Sequence, residues 1–207
     1  MMRFGIQGVT GVILAGGLSR RMGRDKALLY YEGERFIEGV YRRMAALFSE
    51  VIIIARRPGE YPFIPCRQVT DLVVGGGVLA GIQSGLTHAS APAIFVVACD
   101  MPFLNDELIR LLSSGYGGYD VVMPESGSGH EPLHALYQRT CLPAIETCLH
   151  RGSRRIVSFF PQVRVLTIPP EEIAVIDPEF ASFRNINTLE EYDRLHAHHE
   201  GQLAAVS

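Results

Sequence analysis

Apolar positions along the chain fall into two rhythms. Val9–Leu14 is β-branched and largely apolar, Val51–Ala55 and Ala93–Ala98 ("AIFVVA") are apolar throughout, and all three are of strand length. Between them, residues 36–48 place Phe36, Ile37, Val40, Met44, Leu47 and Phe48 at helical spacing, and residues 78–88 repeat that pattern behind Gly75-Gly76-Gly77, read as a flexible hinge. Asn105 is placed to cap a helix over residues 106–112, and residues 119–123 read as the next strand. Strands that are apolar on both faces and alternate with helices predict an α/β fold. Its mostly parallel sheet is covered by helices on both faces, in three layers.

The second half is less regular. Residues 133–138 read as a strand open to antiparallel pairing, residues 141–151 and 155–160 as helices, and residues 163–168 as a strand. Residues 188–199 close the chain as a helix, with Thr188 as N-cap and Glu191 three positions on as a capping box. The histidines of "HAHHEGQLAAVS" read as a solvated helix end. No linker, repeat or low-complexity stretch interrupts residues 1–207, so one domain is expected.

Composition narrows the function. With 207 residues, 47% hydrophobic and 20% charged, the chain can bury a sizeable core. A net charge of -3 argues against binding to nucleic-acid backbones. No apolar run reaches the roughly 18 residues that span a bilayer. Cys66, Cys99, Cys141 and Cys148 form no CxxC pair, which fits reduced thiols and a cytoplasmic location.

Against that mildly acidic background, "LAGGLSRRMGRDKAL" (14–28) is a local anomaly: paired glycines at a strand exit, then Arg20, Arg21, Arg24 and Lys26. Glycines let backbone N–H groups approach phosphate oxygens, and basic side chains supply charge. The stretch fits neither GxxxxGK[ST] nor GxGxxG, so it is neither of the two common phosphate loops. Asp100 ends another apolar strand, at the sheet edge where ligands gather in open α/β folds. It is open to two roles, a cap of the Met101-Pro102 turn or a Mg²⁺ ligand beside a polyphosphate. Arg154-Arg155 begins a segment read as helical, where the dipole favours anions, so the pair suits a bound anion or a solvated surface. His134, Asn185, Asn187 and Asp71 are each open to a structural or a ligand-contacting role.

The same glycine stretch closely resembles the signature of the molybdenum cofactor guanylyltransferase family, within a wider nucleotidyltransferase pattern LAxGxxxRMGxxK. "LAGG", with Gly16 in the variable place, is similar to the guanine-using branch, whereas cytidylyl relatives typically show "LAAG". "VLAGIQSGL" (78–86), "ACDMPFL" (98–104), "EPLHALY" (131–137), "GSRRIVSFF" (152–160) and "FRNINTLEEY" (183–192) resemble later family motifs, in order. The resemblance implies transfer of GMP from GTP to the terminal phosphate of Mo-molybdopterin, with release of pyrophosphate. It implies that Leu14, Ala15, Gly16 and Gly17 meet the base and ribose. Arg21 and Lys26 would meet the phosphates, Asp71 the nucleotide, and Asp100 both the nucleotide and Mg²⁺. Lys26, Arg21 and Asp100 are the implied catalytic set.

The implied pterin contacts are His134, Arg154, Arg155, Asn185 and Asn187. The implied partners are GTP, Mo-molybdopterin, and the molybdoenzymes or their chaperones that receive the product. Two readings compete: a cytidylyl- or sugar-phosphate nucleotidyltransferase on the same fold, and a non-catalytic GTP-binding module in cofactor delivery. The chain departs from the pattern at Val78, where the family usually has Pro, and at "VIIIARR", where Ile54 and Ala55 replace an Asn-containing strand exit.

The chemistry agrees with the residues. A phosphate monoester, second pKa near 6, is already anionic at neutral pH and needs no activating triad. The difficulty is repulsion between two polyanions, which positioning and charge neutralisation must overcome.

Overall fold

The computed structural model describes residues 5–17, 25–114 and 117–196. Its strands are β1 (Val9–Leu14), β2 (Tyr30–Tyr31), β3 (Glu34–Arg35), β4 (Val51–Ala55), β5 (Arg67–Thr70), β6 (Ala93–Ala98), β7 (Val121–Ser126), β8 (Gly129–His130), β9 (His134–Gln138) and β10 (Val165–Ile168). The helices are α1 (Phe36–Leu47), α2 (Gly77–His88), α3 (Asp106–Ser113), α4 (Leu142–His150) and α5 (Pro170–Ala174), followed by a closing helix over residues 189–196. The main sheet runs β10-β7-β9-β6-β1-β4-β5, with β8 added beside β7, while β2 and β3 form a separate hairpin.

Strand direction decides where a ligand can sit. β1 lies parallel to both β4 and β6, with Leu14 opposite Ile54 on one side and Ala98 on the other. These strands therefore end together on one edge. β9 is antiparallel to β6 and to β7, as its sequence allowed, so β7 again points the same way as β6. That edge carries Asp100, the exit of β1 and the end of β7.

The continuous apolar strands are explained by helices on both faces. Ile13, Ile53, Phe95 and Val97 face one core cluster with Val40, Met44 and Leu108 from α1 and α3. Val12, Ile52, Ile94 and Val96 face a second cluster with Ile82, Leu86 and Ile145 from α2 and α4. A fully buried side chain of this size contributes about 2 kcal/mol through removal from water. Gly11 lets α1 approach β1 closely: a Cβ there would meet Phe48 Cδ2 at 2.9 Å and Met44 Cε at 3.1 Å.

Several boundaries differ from those the sequence predicts. The segment expected as a helix at 155–160 is a 3-10 helix, Ile156–Gln162, with Pro161 inside it; proline supplies no N–H for an α-helical ladder. The strand expected at 119–123 runs instead over β7, and the one at 163–168 starts only at Val165. β5 ("RQVT") is an edge strand whose polar composition carries no apolar run. The closing helix keeps its capping box: Glu191 N donates to Thr188 Oγ1 at 3.1 Å, and Thr188 N donates to Glu191 Oε2 at 3.0 Å.

Candidate active site

The exit of β1 is held from both neighbouring strands. Cys99 N donates to the Leu14 carbonyl at 3.1 Å, and Ala15 N donates to the Ile54 carbonyl at 2.8 Å. The Tyr61 hydroxyl, buried and with its pKa raised by that burial, donates to the Ala15 carbonyl at 3.3 Å. Gly16 and Gly17 then emerge into open space. A Cβ on Gly16 would come no nearer than 4.0 Å to the Ile54 carbonyl, and one on Gly17 would meet nothing. Among the described residues nothing crowds these two positions, which leaves room for a ligand to approach the backbone closely.

Downstream, Asp25 accepts from Ala27 N at 3.1 Å and caps a 3-10 helix, Lys26–Leu28. Arg56, from the β4 exit, forms an ion pair with Asp25 and reaches Glu60 Oε1 at 2.7 Å. Sequence reasoning gave Arg56 and Asp25 no role. The departure "VIIIARR" thus carries the arginine that ties the β4 exit to the start of this helix.

That anchorage sets Lys26. Its Nζ donates to Asp100 Oδ2 at 3.2 Å and to Asn187 Oδ1 at 2.6 Å. The Lys26 and Asp100 side chains are only 14% and 15% exposed, so the pair is strengthened by a lowered local dielectric. Residues 185–187 pass directly behind Asp100, because Ile186 N donates to the Asp100 carbonyl at 3.1 Å. Asn187 is oriented by its own Nδ2, which donates to the Asn185 carbonyl at 3.3 Å, and by its backbone N–H on Glu191 Oε2 at 2.6 Å. Those backbone donors hold the Glu191 carboxyl below its usual value. Asn185 Oδ1 is buried with no hydrogen-bond partner among the described residues.

Asp71 lies next to Leu14 over the first turns of α2. A Cβ on Gly81 would sit 3.7 Å from Asp71 Oδ1 and 3.0 Å from Leu14 Cδ2. Burial pushes its carboxyl up, and Oδ1 has no partner among the described residues, so it is short of a donor. The glycine hinge leading into α2 turns with Gly75 and Gly77 at φ of 76° and 65°.

The expected second-half residues separate. Asn187 joins Lys26 and Asp100, with Asn185 beside it. Arg154 and Arg155 are exposed, with no hydrogen bond or ion pair to that cluster among the described residues. Arg154 lies over the glycine turn, its Cβ 3.7 Å from where a Gly77 Cβ would sit. His134, expected as a pterin contact, lies in the core. It is fully buried between Phe95 and Phe183 with ring centroids 5.2 and 5.3 Å away, and neither ring nitrogen has a hydrogen-bond partner among the described residues. His134 pairs with Val97 of β6 across the strand ladder. Arg21 lies outside the described residues.

Among the described residues, no three His, Cys, Asp or Glu side chains converge as a metal cage. Asp100, mostly buried at the sheet edge beside Lys26, offers the hard carboxylate oxygens that suit a cation such as Mg²⁺ if other oxygen ligands complete its shell.

Residues 11–165 match the MobA-like NTP transferase domain. The chain belongs to the MobA-like NTP transferase family. It is 39% identical over 191 residues to a molybdenum cofactor guanylyltransferase from Desulfosudis oleivorans, an alignment covering 91% of this chain and 95% of the relative. The fold matches a molybdopterin-guanine dinucleotide biosynthesis protein A from Archaeoglobus fulgidus with a TM-score of 0.80 and 28% identity, covering 90% of this chain and 96% of the other. A 4-diphosphocytidyl-2C-methyl-D-erythritol synthase from Anaerococcus prevotii shares the fold at a TM-score of 0.67 with 13% identity, covering 94% of this chain and 98% of the other. This member of the MobA-like family therefore has a relative named as a guanylyltransferase, and it shares its fold alone with the Anaerococcus prevotii synthase.

Proposed function

We propose that this protein transfers GMP from GTP to the terminal phosphate of Mo-molybdopterin. The observation that carries the reading is the convergence of Lys26, Asp100 and Asn187 beside the β1 glycine exit, in a chain whose 39%-identical relative is named for this activity. In the reaction, an acceptor phosphate oxygen forms a bond to the α-phosphorus of GTP. The bond from that phosphorus to the bridging oxygen breaks, and the electron pair leaves with pyrophosphate.

The protein supplies no nucleophile in this reading. Residues 14–17 take the guanosine end, and Asp71, short of a donor, accepts from it. Lys26 neutralises charge moving onto the leaving pyrophosphate, with Arg21 as its proposed companion. Asn187 keeps the Lys26 ammonium in place without cancelling its charge. Asp100 would hold Mg²⁺, which when bound offsets the repulsion between the two polyanions. Arg154 and Arg155 would face the acceptor's negative charges from the far side of the glycine turn. The product passes to molybdoenzymes or their chaperones. We place the protein in the cytoplasm; no described helix is long and apolar enough to cross a membrane.

Pyrophosphate release from purified protein, Mg²⁺ and molybdopterin, with GTP, CTP and ATP in parallel, tests the reading. GTP-dependent release that vanishes in Asp100→Ala is expected. A preference for CTP would make the protein a cytidylyl enzyme, and tight GTP binding without turnover a delivery module.

A further inference from the structure

A cavity of about 340 Å³ opens beyond the carboxyl end of β7, on the same sheet edge as Asp100. Its size falls in the range of small-molecule sites. Ser126 and Glu131 line it on one side, Phe180 and Phe183 on another, with exposed Glu179 and Arg184 at its border. None of the site residues expected from the sequence lines it.

The cavity walls are held in place. The buried Asp177 carboxylate accepts from Ala181 N at 3.0 Å and from Ser182 N at 2.9 Å, fixing the turn that carries both phenylalanines. Phe180 adopts a left-handed φ of 51° in that turn, a conformation that costs a non-glycine residue and places its ring beside Phe183 at 6.2 Å. Across from them, Ser126 Oγ donates to Glu131 Oε1 at 2.6 Å and itself accepts from Ser128 N at 3.0 Å. Glu131 Oε2 receives no hydrogen bond among the described residues. Burial pushes this carboxyl up, and only the Ser126 hydroxyl opposes that. A partly desolvated carboxylate with one donor is a receptor for a planar group presenting two parallel N–H bonds.

We infer that this cavity seats the 2-amino-4-oxopyrimidine edge of the acceptor's pterin, with Glu131 accepting from the exocyclic amine and the adjacent ring N–H, and Phe180 and Phe183 lying against the ring system. The inference rests on the proposed molybdopterin acceptor. Residues 184–187 lead from the cavity wall to Lys26, and three extended residues span about 10 Å at most. That length suits a ligand whose ring lies in the cavity and whose phosphate reaches Lys26 and Asp100.

Guanine carries the same donor edge, so the source must be decided. The glycine exit of β1 lies three strands from β7 across β6 and β9, about 14 Å at ordinary strand spacing. A nucleotide whose base meets residues 15–17 cannot also place that base in this cavity, which leaves the edge to the pterin.

Fluorescence titration of the full-length protein with 6-hydroxymethylpterin tests this, alongside its analogue bearing oxygen in place of the 2-amino group. Glu131→Gln is expected to weaken pterin binding about tenfold or more, while GTP binding stays within about twofold. The 2-oxo analogue is expected to bind the wild type about tenfold more weakly and to be indifferent to Glu131→Gln. Unchanged pterin affinity in Glu131→Gln overturns the inference, as does competitive displacement of the pterin by guanosine. If Glu131→Gln loses GTP binding as well, the fold has suffered and Ser126→Ala decides. A severalfold weaker pterin Kd then supports the site, and an unchanged one overturns it. Two further outcomes separate this inference from the functional reading. GMP transfer whose molybdopterin KM ignores Glu131 overturns the inference alone. Glu131-dependent pterin binding without any transfer supports the cavity assignment and overturns the functional reading alone.

Discussion

The amide oxygen of Asn187 accepts a hydrogen bond from the Lys26 ammonium at 2.6 Å, although 161 residues separate the two. Asp100 shares the same ammonium at 3.2 Å. The two partners do different work. A carboxylate attracts Lys26 but also offsets its charge, whereas a neutral amide orients it and leaves the charge for phosphate. If Asp100 turns to a cation, Asn187 still holds Lys26 at the sheet edge.

Two substitutions separate these roles. Lys26→Ala removes a charge aimed at developing negative charge and is expected to lower kcat about a hundredfold, on the order of 3 kcal/mol. Asn187→Ala leaves the ammonium and its Asp100 bond but removes the amide that orients it. The expected loss is about tenfold in kcat with KM for GTP nearly unchanged, the value of one hydrogen bond to a charged group. Steady-state pyrophosphate release measures both. An unchanged kcat in Asn187→Ala would reduce the amide to a loop contact.

Gly16 offers a cleaner separation of fold from ligand. Its φ is not in the left-handed region, and the nearest atom to an added Cβ is a carbonyl oxygen 4.0 Å away. Gly16→Ala should therefore fold, with stability unchanged or raised by roughly 0.4–1 kcal/mol through the unfolded chain's lost freedom. The ligand should feel it instead. GTP affinity is expected to fall severalfold, and the ratio of GTP to CTP use to drop, as calorimetry and competition assays would record. Equal GTP binding by wild type and variant would detach this glycine from base recognition.

The parallel core and the glycine exit were legible because both are local patterns: runs apolar on every residue, and paired glycines at a strand end. The pairing of Asn187 with Lys26 was not, because it exists only once residues 185–187 fold back behind Asp100. Sequence reasoning placed Asn187 with the pterin and Lys26 with the nucleotide. Arg56 was missed for a similar reason, since Asp25 is 31 residues away and an arginine after an apolar strand reads as a solvated charge. His134 shows the opposite case. In "HALYQ" a polar residue among apolar neighbours looks like a ligand contact, and only the flanking Phe95 and Phe183 reveal a core position. Glu131 stands in "EPLHALY" but was given no role, because the cavity beside it is formed only when the distant turn at 177–183 folds against it.

The buried His134 ring should also set part of the protein's acid response. Burial lowers its pKa from 6.5 to about 3, while the nearby Asp177 opposes the shift without reversing it. In the unfolded chain the imidazole takes up a proton as pH falls through 6.5, but in the folded protein it stays neutral until about pH 3. The unfolded state binds more protons across that window, so stability rises with pH there and is lost as pH falls. One such site contributes a slope of at most about 1.4 kcal/mol per pH unit. His134→Leu removes the titrating ring and keeps an apolar side chain between the two phenylalanines. Urea unfolding at pH 7, 6 and 5 is expected to show a shallower loss of stability in the variant than in the wild type. Parallel pH curves for the two proteins would mean that the ring is protonated, or reaches water, in the folded state.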